Sequence, residues 1–265
     1  MPTIFVINLE RSPERLATSQ QQLASHGLCF ERIDAVDGAT LTPAQINSHY
    51  SARLNKEKYH YPLSVGQIGC YLSHRKAWQT IVDRQLDYAI VLEDDFILEE
   101  SLTDTISNIE QLQPDWQMIK LSAYQNRTRP IAYQAPLRHQ QYLVIHKKLM
   151  TGCCATAISY DGAKQLLAAT EKFGRPVDCD LQHIWETQVA GYSLMPYPFA
   201  QNCEQVSDIK ARSAADIKKS FFARKAQQFT SAINNHFATA AFIKNAKRTF
   251  HTPKSKKGAT APFYS

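Results

Sequence analysis

No apolar run in this 265-residue chain approaches the roughly 18 residues that a membrane-spanning helix needs, so no such span is expected. No basic region precedes the short apolar run at 4–7, which argues against a secretory signal peptide. The six cysteines (Cys29, Cys70, Cys153, Cys154, Cys179, Cys203) include no CxxC pair and no ribbon or knuckle spacing. They are read as reduced thiols packed in the interior rather than as a structural zinc site. Internal repeats and low-complexity stretches are also missing. With 44% hydrophobic and 20% charged residues, the expectation is a soluble globular chain, either one large α/β domain or a domain with an appendage.

Charge is unevenly spread. After Ile209 there are twelve Lys or Arg against the single acid Asp216, whereas residues 1–209 carry 18 basic and 23 acidic side chains. A mildly acidic body therefore carries a strongly basic tail, and the net +6 conceals both. No base-reading motif accompanies the basic charge, so nucleic acid is not an expected partner.

The stretch that organises the rest is Ala89-Ile90-Val91-Leu92 followed by Glu93-Asp94-Asp95. A short continuous apolar run is the pattern of a strand buried on both faces of an α/β sheet. Ligands of open α/β sheets bind at the carboxyl ends of the strands, and three acids there concentrate oxygen ligands for a hard divalent cation, Mg²⁺ or Mn²⁺. On extended backbone Glu93 and Asp95 share a face while Asp94 points elsewhere. The alternative is that the triplet caps a helix or lies solvated in a loop.

Around it the chain alternates strands and helices. Residues 3–8 read as a first strand. Ser12-Pro13-Glu14 then reads as a helix start, with Ser12 as N-cap and the helix running to about His26 before Gly27. Strand, polar loop and helix N-terminus together make a phosphate cradle, with Arg11 and Arg15 placed to face an anion or else ordinary surface arginines. A second strand is expected at 30–33. Thr42-Pro43-Ala44-Gln45 and Ser64-Val65-Gly66-Gln67 are capping boxes opening a short helix and a long one, with a loop at 51–60 between them. Downstream the pattern predicts a helix over 101–112, a strand at 116–121 and a lid-like loop over 123–140. Strands at 142–146 and 153–159 follow, with helices over 161–172 and 181–190 and a loop or short strand over 197–207. From 215 to 250 phenylalanines recur at helical spacing among lysines and arginines, which reads either as a helix packed on the body or as one lying on an anionic membrane surface.

Several of these stretches together resemble glycosyltransferase family 25, the lipopolysaccharide (lipooligosaccharide) biosynthesis group. They are Phe5-Val6-Ile7-Asn8-Leu9-Glu10-Arg11-Ser12-Pro13-Glu14-Arg15, Gly66-Gln67-Ile68-Gly69-Cys70-Tyr71-Leu72-Ser73-His74 and Val91-Leu92-Glu93-Asp94-Asp95. Later matches lie at 152–158, Gly162-Ala163-Lys164-Gln165-Leu166 and Pro176-Val177-Asp178, so the resemblance spans residues 3–208. It implies a GT-A-type nucleotide-sugar-binding domain over 1–208 with a basic, helical extension over 209–265. It also implies an inverting transfer of a sugar from a UDP-sugar assisted by a divalent cation, Mn or Mg.

By that resemblance Glu93 and Asp95 are the metal-binding acids of a DxD-type element, although Glu stands in its first position. Asn8, Arg11, Arg15, Ser73, His74, Asp94 and Gln201 fall in segments that would bind the donor. Inversion needs a base for the acceptor hydroxyl, and Asp178 of the Pro-Val-Asp motif is the first choice, with Asp180 its nearest rival. Asp178 as a helix N-cap is the alternative. The reading that follows is a galactosyltransferase using UDP-galactose on a lipid-linked oligosaccharide acceptor, attached from the cytoplasm to the inner membrane. Its rivals are a UDP-glucose or UDP-N-acetylhexosamine transferase of the same fold, or a non-catalytic accessory protein.

Overall fold

The computed structural model describes residues 1–59, 61–99, 101–112, 116–124, 129–202 and 221–251. Strand β1 (Thr3–Asn8) leads into helix α1 (Pro13–Ala24), and β2 (Glu31–Asp34) follows. Gly27 ends the first helical segment with a φ of 68°, the left-handed conformation that a glycine adopts without strain. Ser12 was expected to cap α1 but makes no side-chain capping bond; Pro13 at the first helical position starts the helix instead.

Both capping boxes form as the sequence predicts. Thr42 accepts from the Gln45 N–H at the start of α2 (Pro43–His49), and between it and the next box lies α3 (Ala52–Lys58). Ser64 accepts from the Gln67 N–H at the start of α4 (Val65–Asp83). Helix α3 replaces the loop expected at 51–60. Its sequence offers no apolar stripe, and the Ser51 side chain caps it while Asn55 fastens it through hydrogen bonds to the Tyr61 and Gly174 carbonyls.

Strand β3 (Tyr88–Glu93), the short β4 (Phe96–Leu98), α5 (Leu102–Gln111) and β5 (Met118–Lys120) come next. After them run β6 (Ile131–Pro136), β7 (Tyr142–His146), β8 (Ala155–Ser159) and α6 (Tyr160–Ala169). Two single-turn helices, α7 (Val177–Asp180) and α8 (Ile184–Thr187), precede β9 (Gly191–Met195), β10 (Phe199–Gln201) and the long α9 (Phe221–His251).

Eight strands form one mixed sheet in the order β2-β1-β3-β8-β5-β9-β7-β6, and β10 pairs with β4 in a separate ribbon. β1 runs parallel to β2 and β3, and β5 parallel to β9, while β8 lies antiparallel between β3 and β5. Two expectations change here. The lid-like loop at 123–140 contains β6, an edge strand whose Pro136 is tolerated because its outer side has no ladder to complete. The helix expected over 181–190 shrinks to α8, and the chain re-enters the sheet as β9 between β5 and β7.

The sheet is covered on both faces, and alternate residues of β1 and β3 explain their unbroken apolar runs. Ile4, Val6, Ile90 and Leu92 join Leu23, Ile106, Ile109 and Ala246 on one side. Phe5, Ile7, Ala89 and Val91 join Tyr71, Trp78, Ile81 and Leu166 on the other. Trp78 and Tyr71 of α4 are fully buried, and losing the Trp78 ring would cost about 3–5 kcal/mol. α4 is thus clamped against the strands that carry the acids.

Candidate active site

The sheet register brings the acids together. Ile7 of β1 lies opposite Glu93 of β3, so the next residues, Asn8 and Asp94, meet where both strands end. β8 runs the other way and begins at the same edge, where the Glu93 N–H donates to the Cys154 carbonyl at 2.8 Å. Carboxyl ends of β1 and β3 and the entrance of β8 therefore converge on a cleft of about 510 Å³. Arg15, His74, Glu93, Asp95, Asp178 and Gln201 are among the residues lining it. A larger hollow of about 1000 Å³ at the opposite edge, around Met1, Leu86 and Trp116, contains none of these.

Within the triplet each acid has a different environment. Asp94 is 8% exposed; it accepts from Asn8 Nδ2 at 2.7 Å and pairs with the Arg15 guanidinium. Asn8 also donates to the Ser12 carbonyl, so it ties strand end, loop and acid into one unit. Glu93 bonds His74 Nε2 at 2.9 Å. Burial works to raise its carboxyl, but the His74 hydrogen bond and the charges of His74 and Lys120 prevail and hold it below the usual carboxylate range. Asp95 accepts from Gln201 Nε2 at 2.8 Å, and its Oδ1 is buried with no hydrogen-bond partner among the described residues. Burial, then the Glu93 carboxylate, push Asp95 up to about 6. A buried, unsatisfied carboxylate oxygen beside a second carboxylate fits a divalent cation, which would satisfy the oxygen and offset the repulsion. Glu93 and Asp95 are the residues that would hold it.

Arg11 and Arg15, both placed by the sequence to face an anion, have protein partners here. Arg11 pairs with Asp37 at the rim with both side chains substantially exposed, an arrangement worth about 0–1 kcal/mol and easily exchanged for a ligand. Arg15 is engaged by Asp94 and stands 4.0 Å from Asp95. The Ser73-His74 pair divides its work: the Ser73 hydroxyl accepts from the Val36 N–H and donates to the Gly69 carbonyl, holding the loop after β2 on α4, while His74 faces Glu93.

The two candidate bases sit differently although both belong to α7. Asp178 lines the cleft, with the Gly152 N–H 3.4 Å from its Oδ2. It lies in the first turn of α7 and is not its N-cap, a place that Pro176 takes. Asp180 is buried, accepting from Tyr71 at 3.0 Å and from Arg175 at 2.5 Å. Burial raises its carboxyl despite the Arg175 charge. It fastens α7 to α4 and is absent from the cleft lining.

Three contributors were not singled out as site residues from the sequence, although Gly152 heads one of the family-like segments. Lys120, at the end of β5, is 1% exposed and donates to the Gly152 carbonyl beneath the cleft. Gly152 takes a φ of 87°, and a Cβ there would stand 3.3 Å from the ring of Tyr124, the third contributor. A lysine inside an otherwise apolar strand, Met118-Ile119-Lys120-Leu121, was the available signal. Of the cysteines, Cys153 and Cys154 are buried as expected and Cys70 and Cys179 half-buried, but Cys29 is exposed. Cys203 and the parts of the basic tail at 209–220 and 252–265 lie outside the described residues.

A family model described as Glycosyltransferase family 25 (LPS biosynthesis protein) matches residues 1–181. The chain belongs to glycosyltransferase family 25. Among relatives of this family 25 chain, human procollagen galactosyltransferase 2 is 28% identical over 221 residues, covering 81% of this chain and 34% of that protein. A mouse protein named inactive glycosyltransferase 25 family member 3 is 33% identical over 123 residues, 45% of this chain and 20% of that one. The family 25 chain thus spans about a third of the length of the curated relative it matches over most of its own. Among solved structures, a Drosophila β-1,4-galactosyltransferase 7 mutant in complex with manganese, UDP-Gal and xylobiose superposes with a TM-score of 0.39 at 9% identity, covering 86% of this chain and 79% of that one.

Proposed function

We propose that this family 25 chain is an inverting hexosyltransferase of GT-A type that transfers galactose from UDP-galactose to a lipooligosaccharide acceptor. One observation carries the reading: Glu93 and Asp95 stand at the strand ends on one side of a cleft that Asp178 also lines. A divalent cation held by Glu93 and Asp95 would supply Lewis acidity at the leaving diphosphate. Asn8 and Arg15 hold Asp94 and so fix the turn that presents Asp95. Gln201 orients the Asp95 carboxylate through its Oδ2 and leaves Oδ1 for the ligand. Asp178 takes the proton of the acceptor hydroxyl as it attacks the anomeric carbon from the face opposite the diphosphate, which inverts that carbon. Asp180, engaged by Arg175 and Tyr71, positions α7 and is not the base.

The tail supports attachment to the cytoplasmic face of an anionic membrane. On α9, Phe229, Ile233 and Phe237 are exposed, and at 3.6 residues per turn they share one face with the exposed Lys244, Lys247 and Arg248. A mixed aromatic and basic stripe suits a surface where a lipid-linked acceptor would lie.

Turnover of a panel of nucleotide sugars by wild type and Asp178→Asn, with and without EDTA, tests the site. UDP-galactose is the expected donor, EDTA is expected to abolish transfer, and Asp178→Asn is expected to lower turnover by about 10²-fold or more with donor binding nearly unchanged. Turnover of UDP-glucose or UDP-N-acetylhexosamine alone would change the donor. Collapse of donor affinity in Asp178→Asn would make that residue a donor ligand, and no turnover of any donor would favour an accessory protein, as the name of the mouse relative allows.

A further inference from the structure

Cys70 and His74 lie one turn apart on α4, and their side chains meet Glu93 at the end of β3. Glu93 Oε1 is 2.9 Å from His74 Nε2 and 3.8 Å from Cys70 Sγ, and one ligand atom from each residue falls within 4.8 Å of the others. All three residues line the cleft. We propose that Cys70, His74 and Glu93 form a second cation site, selective for zinc-like cations, and that filling it blocks transfer. The site stands on α4 and β3 alone; only the blocking rests on the assignment of Glu93 to the donor cation.

The donor set decides the selectivity. Sulfur, imidazole nitrogen and carboxylate oxygen suit Zn²⁺ and its analogue Co²⁺, whereas Mg²⁺ and Mn²⁺ favour oxygen ligands throughout. Three protein ligands beside an open cleft leave a fourth position for water or a phosphate oxygen, the layout of an open rather than a closed zinc site. A pair one turn apart on a helix needs no CxxC spacing, which is why the cysteine pattern did not reveal it. Binding releases the Cys70 thiol proton to the buffer, moves the proton of the His74–Glu93 hydrogen bond from Nε2 to Nδ1 or to the buffer, and exchanges that hydrogen bond for two metal–ligand bonds. The helix is already rigid: Ser64 caps it, Trp78 and Tyr71 anchor it, and the His74 ring packs against Trp78 with centroids 6.2 Å apart. Glu93 belongs to both cation sets, so the zinc site draws it from Asp95.

The test is a Co²⁺ titration of the full chain after EDTA treatment and desalting. A near-ultraviolet thiolate-to-cobalt band that saturates at one equivalent is expected, lost in Cys70→Ser and in His74→Ala and retained in Cys153→Ser and Asp95→Asn. No band in wild type, a band that survives Cys70→Ser, or a band lost in Cys153→Ser overturns the site. Alkylation of wild type keeps the question open to decision if a variant fails to fold: Zn²⁺ is expected to protect Cys70 from iodoacetamide in peptide mass spectra, and unprotected Cys70 overturns the proposal. The band does not depend on transfer, so its presence in a chain that turns over no donor still supports the site. Mn²⁺-dependent turnover that withstands saturating Zn²⁺ overturns the blocking.

Discussion

Lys120 is a single ammonium held 1% exposed beneath the cleft, and its one described hydrogen bond goes to the Gly152 carbonyl. The N–H of the same residue turns toward Asp178, and the Lys120 charge helps hold the Glu93 carboxyl down. One side chain therefore acts on both halves of the proposed machinery, by charge on Glu93 and through Gly152 on the side of Asp178. Removing one partner of a buried polar contact leaves the other unsatisfied, at a cost of about 1–3 kcal/mol. Lys120→Met, which conserves volume, is expected to lose about that much stability in urea unfolding and to lower turnover in the fraction that remains folded. A variant more stable than wild type would show that burying the ammonium costs more than its tether returns.

Among elements, the single-turn helices α7 and α8 are too short to hold themselves, since a first turn fixes several residues for one bond. Arg175 supplies the missing order by bridging Asp180 of α7 and Glu186 of α8, while Lys58 of α3 also reaches Glu186 at 2.7 Å. Burial opposes ionisation of Glu186, but its hydrogen bonds to Arg175 and Lys58 prevail and bring it down to about 2. A depressed carboxyl stabilises the fold fully above its unfolded value near 4.5 and progressively less as pH falls toward 2. With the Glu186 side chain 30% exposed, solvent screening reduces the contribution to about 2 kcal/mol. Glu186→Gln should therefore be less stable than wild type at neutral pH, with the gap in urea midpoints closing between about pH 5 and pH 2. A gap independent of pH would locate the effect in packing rather than charge.

Across the whole molecule, the described part of α9 bears out the packed reading of the phenylalanine-rich tail on its inner face and leaves the membrane reading a proposal for its outer one. Phe242 packs on Tyr192 of β9 with ring centroids 4.7 Å apart, Ala246 is 1% exposed, and Asn235 donates to the Lys147 carbonyl at 2.5 Å. The opposite face leaves Phe229 at 68% and Phe237 at 69% exposed. Deleting the helix would uncover the core, so the membrane reading is tested on the outer face alone. Phe229→Ser with Phe237→Ser is expected to weaken sedimentation with anionic vesicles and to leave thermal unfolding and donor turnover near wild type. Unchanged vesicle binding would assign attachment to another surface, and a large fall in Tm would place these rings against the protein.

The sequence alone determined much of what depends on near neighbours. Thr42 and Ser64 start helices because their capping partners lie three residues on, and the run 89–92 is a doubly buried strand because every residue in it is apolar. The family segments, read along the chain, also named most of the residues that line the cleft. Tertiary structure alone decided matters set by distant partners. β9 is short, and only its position between β5 and β7 makes it a sheet-centre strand. Asp178 and Asp180 look equivalent in sequence, but two residues on a single-turn helix point to different sides; one enters the cleft and the other meets Arg175 and Tyr71. Lys120 and Cys70 acquire their roles from Gly152 and Glu93, 32 and 23 residues away along the chain, partners that no local pattern records because only the folded sheet brings them within reach.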